Sequence, residues 1–279
     1  MPDPYRTLDT KAGTALIFAE GDIETAARTA ADLIRAAVDA AGAKRGRAVL
    51  GLATGSTPIP VYAHLVARHR DGDLKFNGVM TYNLDEYYPI SPRDPNSYRT
   101  FMHRHLFSQV EIAANQSHVF DGTVPESAVG EHAAQFEKWI AADGGLDLQL
   151  LGIGRNGHIG FNEPSELSVA DALALPSRVV SLHPVTTADA ARDFGGEPDR
   201  VPERALTMGV ATILSAREIL ILAFGAAKAD AVARSLLGPI TAQVPGSLLQ
   251  TVAPKVTWIL DEAAASGLRG RRPPPTFAS

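Results

Sequence analysis

Short apolar runs alternate with longer stretches of helical period along almost the whole chain, and this rhythm narrows its possible folds more than any single motif. RAVLGLAT, LDLQLLGIG, REILILAFG and KVTWILD read as buried strands. Between and around them, GDIETAARTAADLIRAAVDAAG, STPIPVYAHLVARHRDG, DPNSYRTFMHRHLF, PESAVGEHAAQFEKWIAADGG and AAKADAVARSLLG are predicted as helices. Asp22 is placed to cap the first, Asn96 or Ser97 the third, and glycines end the fourth. GVMTYNLDEYY reads as a strand running into a loop, SHVFDG as a short strand and SRVVSL as a further strand. Strands joined by helices over the whole length imply a mainly parallel sheet covered on both faces: a three-layer, Rossmann-like α/β fold. No repeat and no linker splits the chain. Residues 1–264 are therefore expected to form one domain, and 265–279, with three consecutive prolines, a disordered tail.

The 279 residues are 45% hydrophobic and 20% charged, which allows a sizeable core. A net charge of -5 gives no support for nucleic acid or an acidic membrane surface as partner. A small anion remains open, because a local pair of cations suffices for it. The chain has no cysteine, which excludes disulfides, thiolate nucleophiles and thiolate-ligated metals. The opening MPDPYRTLDTKAG lacks the apolar core of a signal peptide, and no run approaches the roughly 18 residues of a membrane span. The expectation is a cytoplasmic protein.

Residues 151–164, LGIGRNGHIGFNEP, contain a match to the G-x-G-x-x-G dinucleotide fingerprint at Gly152, Gly154 and Gly157. The context is wrong for it. A true fingerprint opens a helix, whereas here glycine, phenylalanine and proline follow within seven residues, and the ribose-binding acid expected about 20 residues on, at the end of a following strand, is missing. These glycines instead suit a loop that turns tightly and presents His158 and Glu163. GLATGSTP is not a Walker motif, but Gly55, Ser56 and Thr57 offer N–H groups and hydroxyls at a helix start, where the dipole favours an anion. Three strands thus end in unusual chemistry, at GLATGSTP, YNLDEYY and GIGRNGHIGFNEP. In an open α/β sheet ligands bind at those ends.

With GLATGSTP, NLDEYY followed by SYRTFMHRHLF, GIGRNGHIGFNEP, ALTMGVATIL and LILAFGAAKADAV, the sequence from about residue 14 to 262 resembles the isomerising glucosamine-6-phosphate deaminases. The resemblance implies an amino-sugar phosphate as small-molecule partner and its conversion to fructose 6-phosphate and ammonium, with no metal and no organic cofactor. It assigns Asp85 to proton abstraction from the carbon bearing nitrogen and His158 to opening of the sugar ring. Glu163 would orient and charge that imidazole. Asn156 stands where many members carry aspartate; asparagine keeps the shape and removes a negative charge that would favour imidazolium. Thr54, Gly55, Ser56 and Thr57, with Arg192 and Lys228, match phosphate-binding positions. Arg192 lies in TTADAARDFGGEPDRVP, which resembles the family's mobile lid.

Three alternatives stay open: a deaminase for another amino-sugar phosphate such as galactosamine 6-phosphate, a phosphosugar lactonase, and a sugar-phosphate-sensing module without catalysis. The oligomeric state stays open too, a homo-oligomer included. Arg178 is retained in SRVVSL, but Val180 replaces a lysine expected of members with an allosteric activator. His103 and His105, two apart, make a poor metal pair. Trp139 and Trp258 are both expected in the core.

Overall fold

The computed structural model describes residues 5–19 and 21–268. An antiparallel hairpin of β1 (Tyr5–Thr10) and β2 (Gly13–Phe18) opens the chain. There follow α1 (Ile23–Arg45), β3 (Ala48–Leu52), α2 (Ile59–Arg70), β4 (Val79–Asn83), β5 (Asp85–Tyr88), α3 (Tyr98–Met102), β6 (Ser117–His118), α4 (Val129–Ala142) and β7 (Leu148–Gly152). The remainder runs α5 (Val169–Leu173), β8 (Arg178–Ser181), α6 (Pro184–Ala190), β9 (Arg204–Thr207), α7 (Val210–Ser215), β10 (Glu218–Ala223), α8 (Ala229–Leu237) and β11 (Val256–Asp261).

The main sheet has the order β1-β2-β11-β10-β7-β3-β4-β6 and is parallel except for the opening hairpin. Helices surround it, giving the expected Rossmann-like α/β architecture. β3 and β7 are apolar along almost their full length because both sheet faces are covered. α1 shows how sequence makes an element here. Its small residues Ala26, Ala27, Ala30, Ala31, Ala37 and Ala41 recur with Ile34 on one buried face, allowing close approach to the sheet. Asp22 accepts from Thr25 N–H at its start, and Gly46 at φ 73° stops it.

The strand order reverses between β3 and β7. From β3 the chain winds outward through β4 to β6, and from β7 through β10 to β11. The carboxyl ends on either side of that reversal are where a crevice opens.

Several expectations need correction. DEYY is not a loop: it is β5, which leaves the main sheet and pairs antiparallel with β9, itself paired with β8, in a separate three-stranded sheet. SRVVSL therefore belongs to that small sheet and not the large one. The opening hairpin was hidden by its polar outer strand, which is half exposed and lacks a continuous apolar run. The DPNSYRTFMHRHLF helix begins at Ser97 as expected but widens to a π-turn over His103–Phe107. Trp258 is fully buried, whereas Trp139 is 39% exposed, its ring near His118 and His132 beside short edge strand β6. The expected tail starts too early, since Ala265 and Leu268 are buried in the core. Residues 269–279, including Arg269, Arg271 and Arg272, lie outside the described residues.

Candidate active site

A cavity of about 650 Å³ opens at the strand ends beside the reversal. Thr54, Gly55, Ser56 and Thr57 after β3, Asp85 at the start of β5, His158 after β7, Arg192 after α6 and Lys228 after β10 all line it. Asn156 and Glu163 stand behind His158 rather than on the wall.

Asp85 and Glu86 are neighbours with opposite surroundings, because successive side chains of a strand point to opposite faces. Glu86 accepts from the Ser97 hydroxyl at 2.6 Å and from the N–H groups of Tyr87, Tyr98 and Arg99. It caps the short helix α3. Among the described residues no hydrogen bond reaches the Asp85 carboxyl group, which is only 7% exposed. Burial, and then the nearby Glu86 charge, pushes its pKa up to about 8. A poorly solvated acid of this kind holds a proton tightly, and its anion is a strong base.

The histidine loop closes on itself: Gly154 N–H donates to the His158 carbonyl and Gly157 N–H to the Gly154 carbonyl, each at 3.0 Å. No helix follows until α5, so the dinucleotide geometry is absent. The imidazole lies flat against Gly154, where a Cβ would overlap its ring. Gly160, at φ 56°, brings the loop alongside Asp85; a Cβ there would stand 3.7 Å from Asp85 Oδ2 and 3.1 Å from Thr207 Oγ1. Thr207 pairs with Asp85 in register and its hydroxyl accepts from Phe161 N–H at 3.0 Å. The small sheet thus fastens the histidine loop to the strand bearing Asp85.

Glu163 Oε2 lies 3.2 Å from His158 Nδ1 and accepts from Asn156 Nδ2 at 2.9 Å. Its other oxygen accepts from the Thr186 hydroxyl at 2.6 Å. Burial alone would raise the Glu163 pKa. The bond and charge of His158, with those from Thr186 and Asn156, override it and hold the group at about 2. With Nδ1 facing an ionised carboxylate, the hydrogen-bond pattern assigns a proton to Nδ1 and leaves Nε2 available to a ligand.

The far end of the cavity is cationic. α2 begins directly after Thr57, with Pro58 at its N-cap and no side-chain cap bond, so the positive end of its dipole lies next to this part of the cavity. Arg192 donates to Ser56 Oγ at 3.2 Å, joining the turn after α6 to the loop after β3. Lys228 is partly buried and its pKa is lowered, by burial first. Asp261 accepts from Gly225 N–H with both oxygens at 3.0 Å, fixing the turn that precedes Lys228.

Sequence reading missed Thr186, Tyr98, Phe161, Arg155 and Asp189, which also line the cavity. Thr186 and Asp189 sit on α6, in the stretch TTADAARDFGGEPDRVP that the sequence marked only for Arg192. Their place follows only from the packing of that helix over the histidine loop.

The chain is similar to known proteins along most of its length. Residues 21–258 match the family model described as glucosamine-6-phosphate isomerases/6-phosphogluconolactonase. A glucosamine-6-phosphate deaminase of Rhodopirellula baltica is 48% identical over 228 residues, 82% of this chain and 87% of its own length. One from Hahella chejuensis is 47% identical over 221 residues, 79% of this chain and 81% of its own. A solved structure of a monomeric glucosamine-6-phosphate deaminase is 36% identical, with a TM-score of 0.82 over 91% of this chain and 99% of that one. The 6-phosphogluconolactonase of Trypanosoma cruzi, 19% identical at a TM-score of 0.72 over 95% of this chain and 100% of that one, shares the fold. With a family model covering most of its length and close relatives along the same span, the chain belongs to the glucosamine-6-phosphate isomerase/6-phosphogluconolactonase family.

Proposed function

We propose that this protein is a glucosamine-6-phosphate deaminase, converting glucosamine 6-phosphate and water to fructose 6-phosphate and ammonium. One observation carries the reading: a buried acid with no hydrogen bond from any described residue and a carboxylate-backed histidine open into a single cavity with cations at its other end. The phosphate sits against residues 54–57 and is held by Arg192 and Lys228, which leaves the sugar ring toward His158 and Asp85.

Ring opening and isomerisation are proton transfers by these groups, and hydrolysis of the resulting imine completes the reaction. His158 Nε2 takes the proton of the anomeric hydroxyl and returns one to the ring oxygen, opening the ring. Glu163 and Asn156 hold the imidazole while it carries charge. Asp85 then removes the proton from the carbon bearing nitrogen, and reprotonation at the neighbouring carbon leaves an imine. Water adds to the imine and ammonium departs. The cationic nitrogen of the bound amino sugar favours the ionised form of Asp85 at the moment a base is required.

Release of ammonium together with fructose 6-phosphate from glucosamine 6-phosphate tests the assignment in a coupled assay. Turnover of galactosamine 6-phosphate alone would move it to the epimeric substrate. Release of acid from a phosphosugar lactone, with Asp85→Asn retaining activity, would overturn it.

A further inference from the structure

Arg155 and Asp189 line the same cavity as Ser56, Arg192 and Lys228, and the phosphate reading gives neither of them a task. Arg155 lies in the histidine loop and Asp189 on α6. Its guanidinium grips the carboxylate with two parallel bonds, Nε to Oδ2 at 2.9 Å and Nη2 to Oδ1. We propose that Arg155 is a third ligand of the substrate's phosphate and that Asp189 occupies its guanidinium until the phosphate arrives. This inference rests on the phosphate reading of the cavity's cationic end.

Two oxygens of a phosphate present to a guanidinium the same fork that a carboxylate does, so the exchange needs no change in the arginine's geometry. The pair is also easily displaced. Arg155 is 46% and Asp189 40% exposed, so both partners stay open to solvent and to an incoming anion that offers the same fork. Nor is the pair required to dock α6, which is already tied down by Thr186 on Glu163 and by the bond from His183 N–H, at its N-cap, to the same carboxylate. A bare carboxylate on the wall of an anion site would repel the ligand; paired with Arg155 it is masked. Lys228 reports the shared field: after burial, Arg155 and Arg192 depress its proton affinity while Asp189 supports it.

The sign of one substitution separates exchange from a simple strut. Under exchange, Asp189 competes with phosphate, so Asp189→Asn tightens anion binding; under a strut, it loosens the site. Calorimetric titration with inorganic phosphate and with sorbitol 6-phosphate, which carries no reactive carbonyl, reads this without turnover. Arg155→Gln is expected to weaken sorbitol 6-phosphate about tenfold, as for loss of one charge-assisted contact. Asp189→Asn is expected to tighten it about threefold, and the double variant to bind more weakly than Asp189→Asn alone. Unchanged affinity in Arg155→Gln, or weakening in Asp189→Asn to match it, overturns the inference. A wild-type protein that binds neither probe overturns it along with the phosphate site. Normal sorbitol 6-phosphate binding without ammonium release would sink the deaminase reading alone.

Discussion

Thr186 donates to Oε1 of Glu163 at 2.6 Å, while Oε2 of the same carboxylate stands 3.2 Å from Nδ1 of His158. The hydroxyl is also 3.2 Å from that nitrogen. One threonine on α6 therefore fixes the far edge of a carboxylate that fixes the imidazole. Helix and histidine loop are coupled through it.

Removing that hydroxyl frees Glu163 to rotate and leaves the imidazole misaligned for proton transfer. Thr186→Val is expected to lower kcat about tenfold, the scale of one lost hydrogen bond to a charged group. Thr186→Ser should restore most of it, and sorbitol 6-phosphate should bind all three proteins alike. A fall in melting temperature with kcat intact would reduce Thr186 to a packing residue.

Asp85 is held at about 8 in the fold, against about 3.9 for an unperturbed aspartate. The folded state thus binds this proton more tightly than the unfolded chain. Its contribution to stability is fully present below pH 3.9 and is lost as pH rises through 8. The difference bounds the loss at about 6 kcal/mol, before relaxation of the site reduces it. Asp85→Asn should therefore melt higher than wild type by several degrees, with the gap widening between about pH 4 and pH 8. Thermal melts across that range check the sign; a constant gap would place the effect elsewhere.

The same acid sets a rate limb. A base must be ionised, so kcat/KM, which reports the free enzyme, should climb with pH until about 8. Once bound, the substrate's cationic nitrogen favours the carboxylate, so the corresponding limb in kcat should lie at lower pH. Coincident limbs in the two profiles would argue against contact between Asp85 and the amino group.

Much of this was legible before any coordinates, for physical reasons that differ by element. The central strands β3, β7, β10 and β11 announce themselves because burial on both faces demands unbroken apolar runs. Asp85, His158 and Glu163 were singled out through the resemblance of NLDEYY and GIGRNGHIGFNEP to one family, and the fold brings the first two to one cavity wall. What was not legible depends on long-range pairing. DEYY carries the polar pair Asp85 and Glu86 and so resembles a turn, yet it is a strand because β9 supplies its partner. Trp139 has the composition of a core residue, but lies beside an edge strand two residues long with little sheet to cover it. Thr186 and Asp189 gain their contacts with Glu163 and Arg155 from residues more than twenty positions away.

Asn156 offers the sharpest test of how charge is set around His158. Its amide donates to Glu163 Oε2 at 2.9 Å while its carbonyl accepts from His158 N–H at 3.1 Å. An aspartate can still do the second but cannot do the first unless protonated. Asn156→Asp therefore presses two carboxylates together and adds negative charge beside the imidazole, which favours its cationic form. The acid limb of the kcat profile should move to higher pH in this variant. The crowded carboxyl pair binds a proton more tightly in the fold than in the unfolded chain. The variant should therefore match wild-type stability at low pH and fall behind by roughly 1–3 kcal/mol as pH rises past the carboxylate range. Rate profiles and melts of the two proteins decide it. An unmoved limb together with equal stability at neutral pH would mean that solvent, and not the Asn156 amide, balances the charge on Glu163.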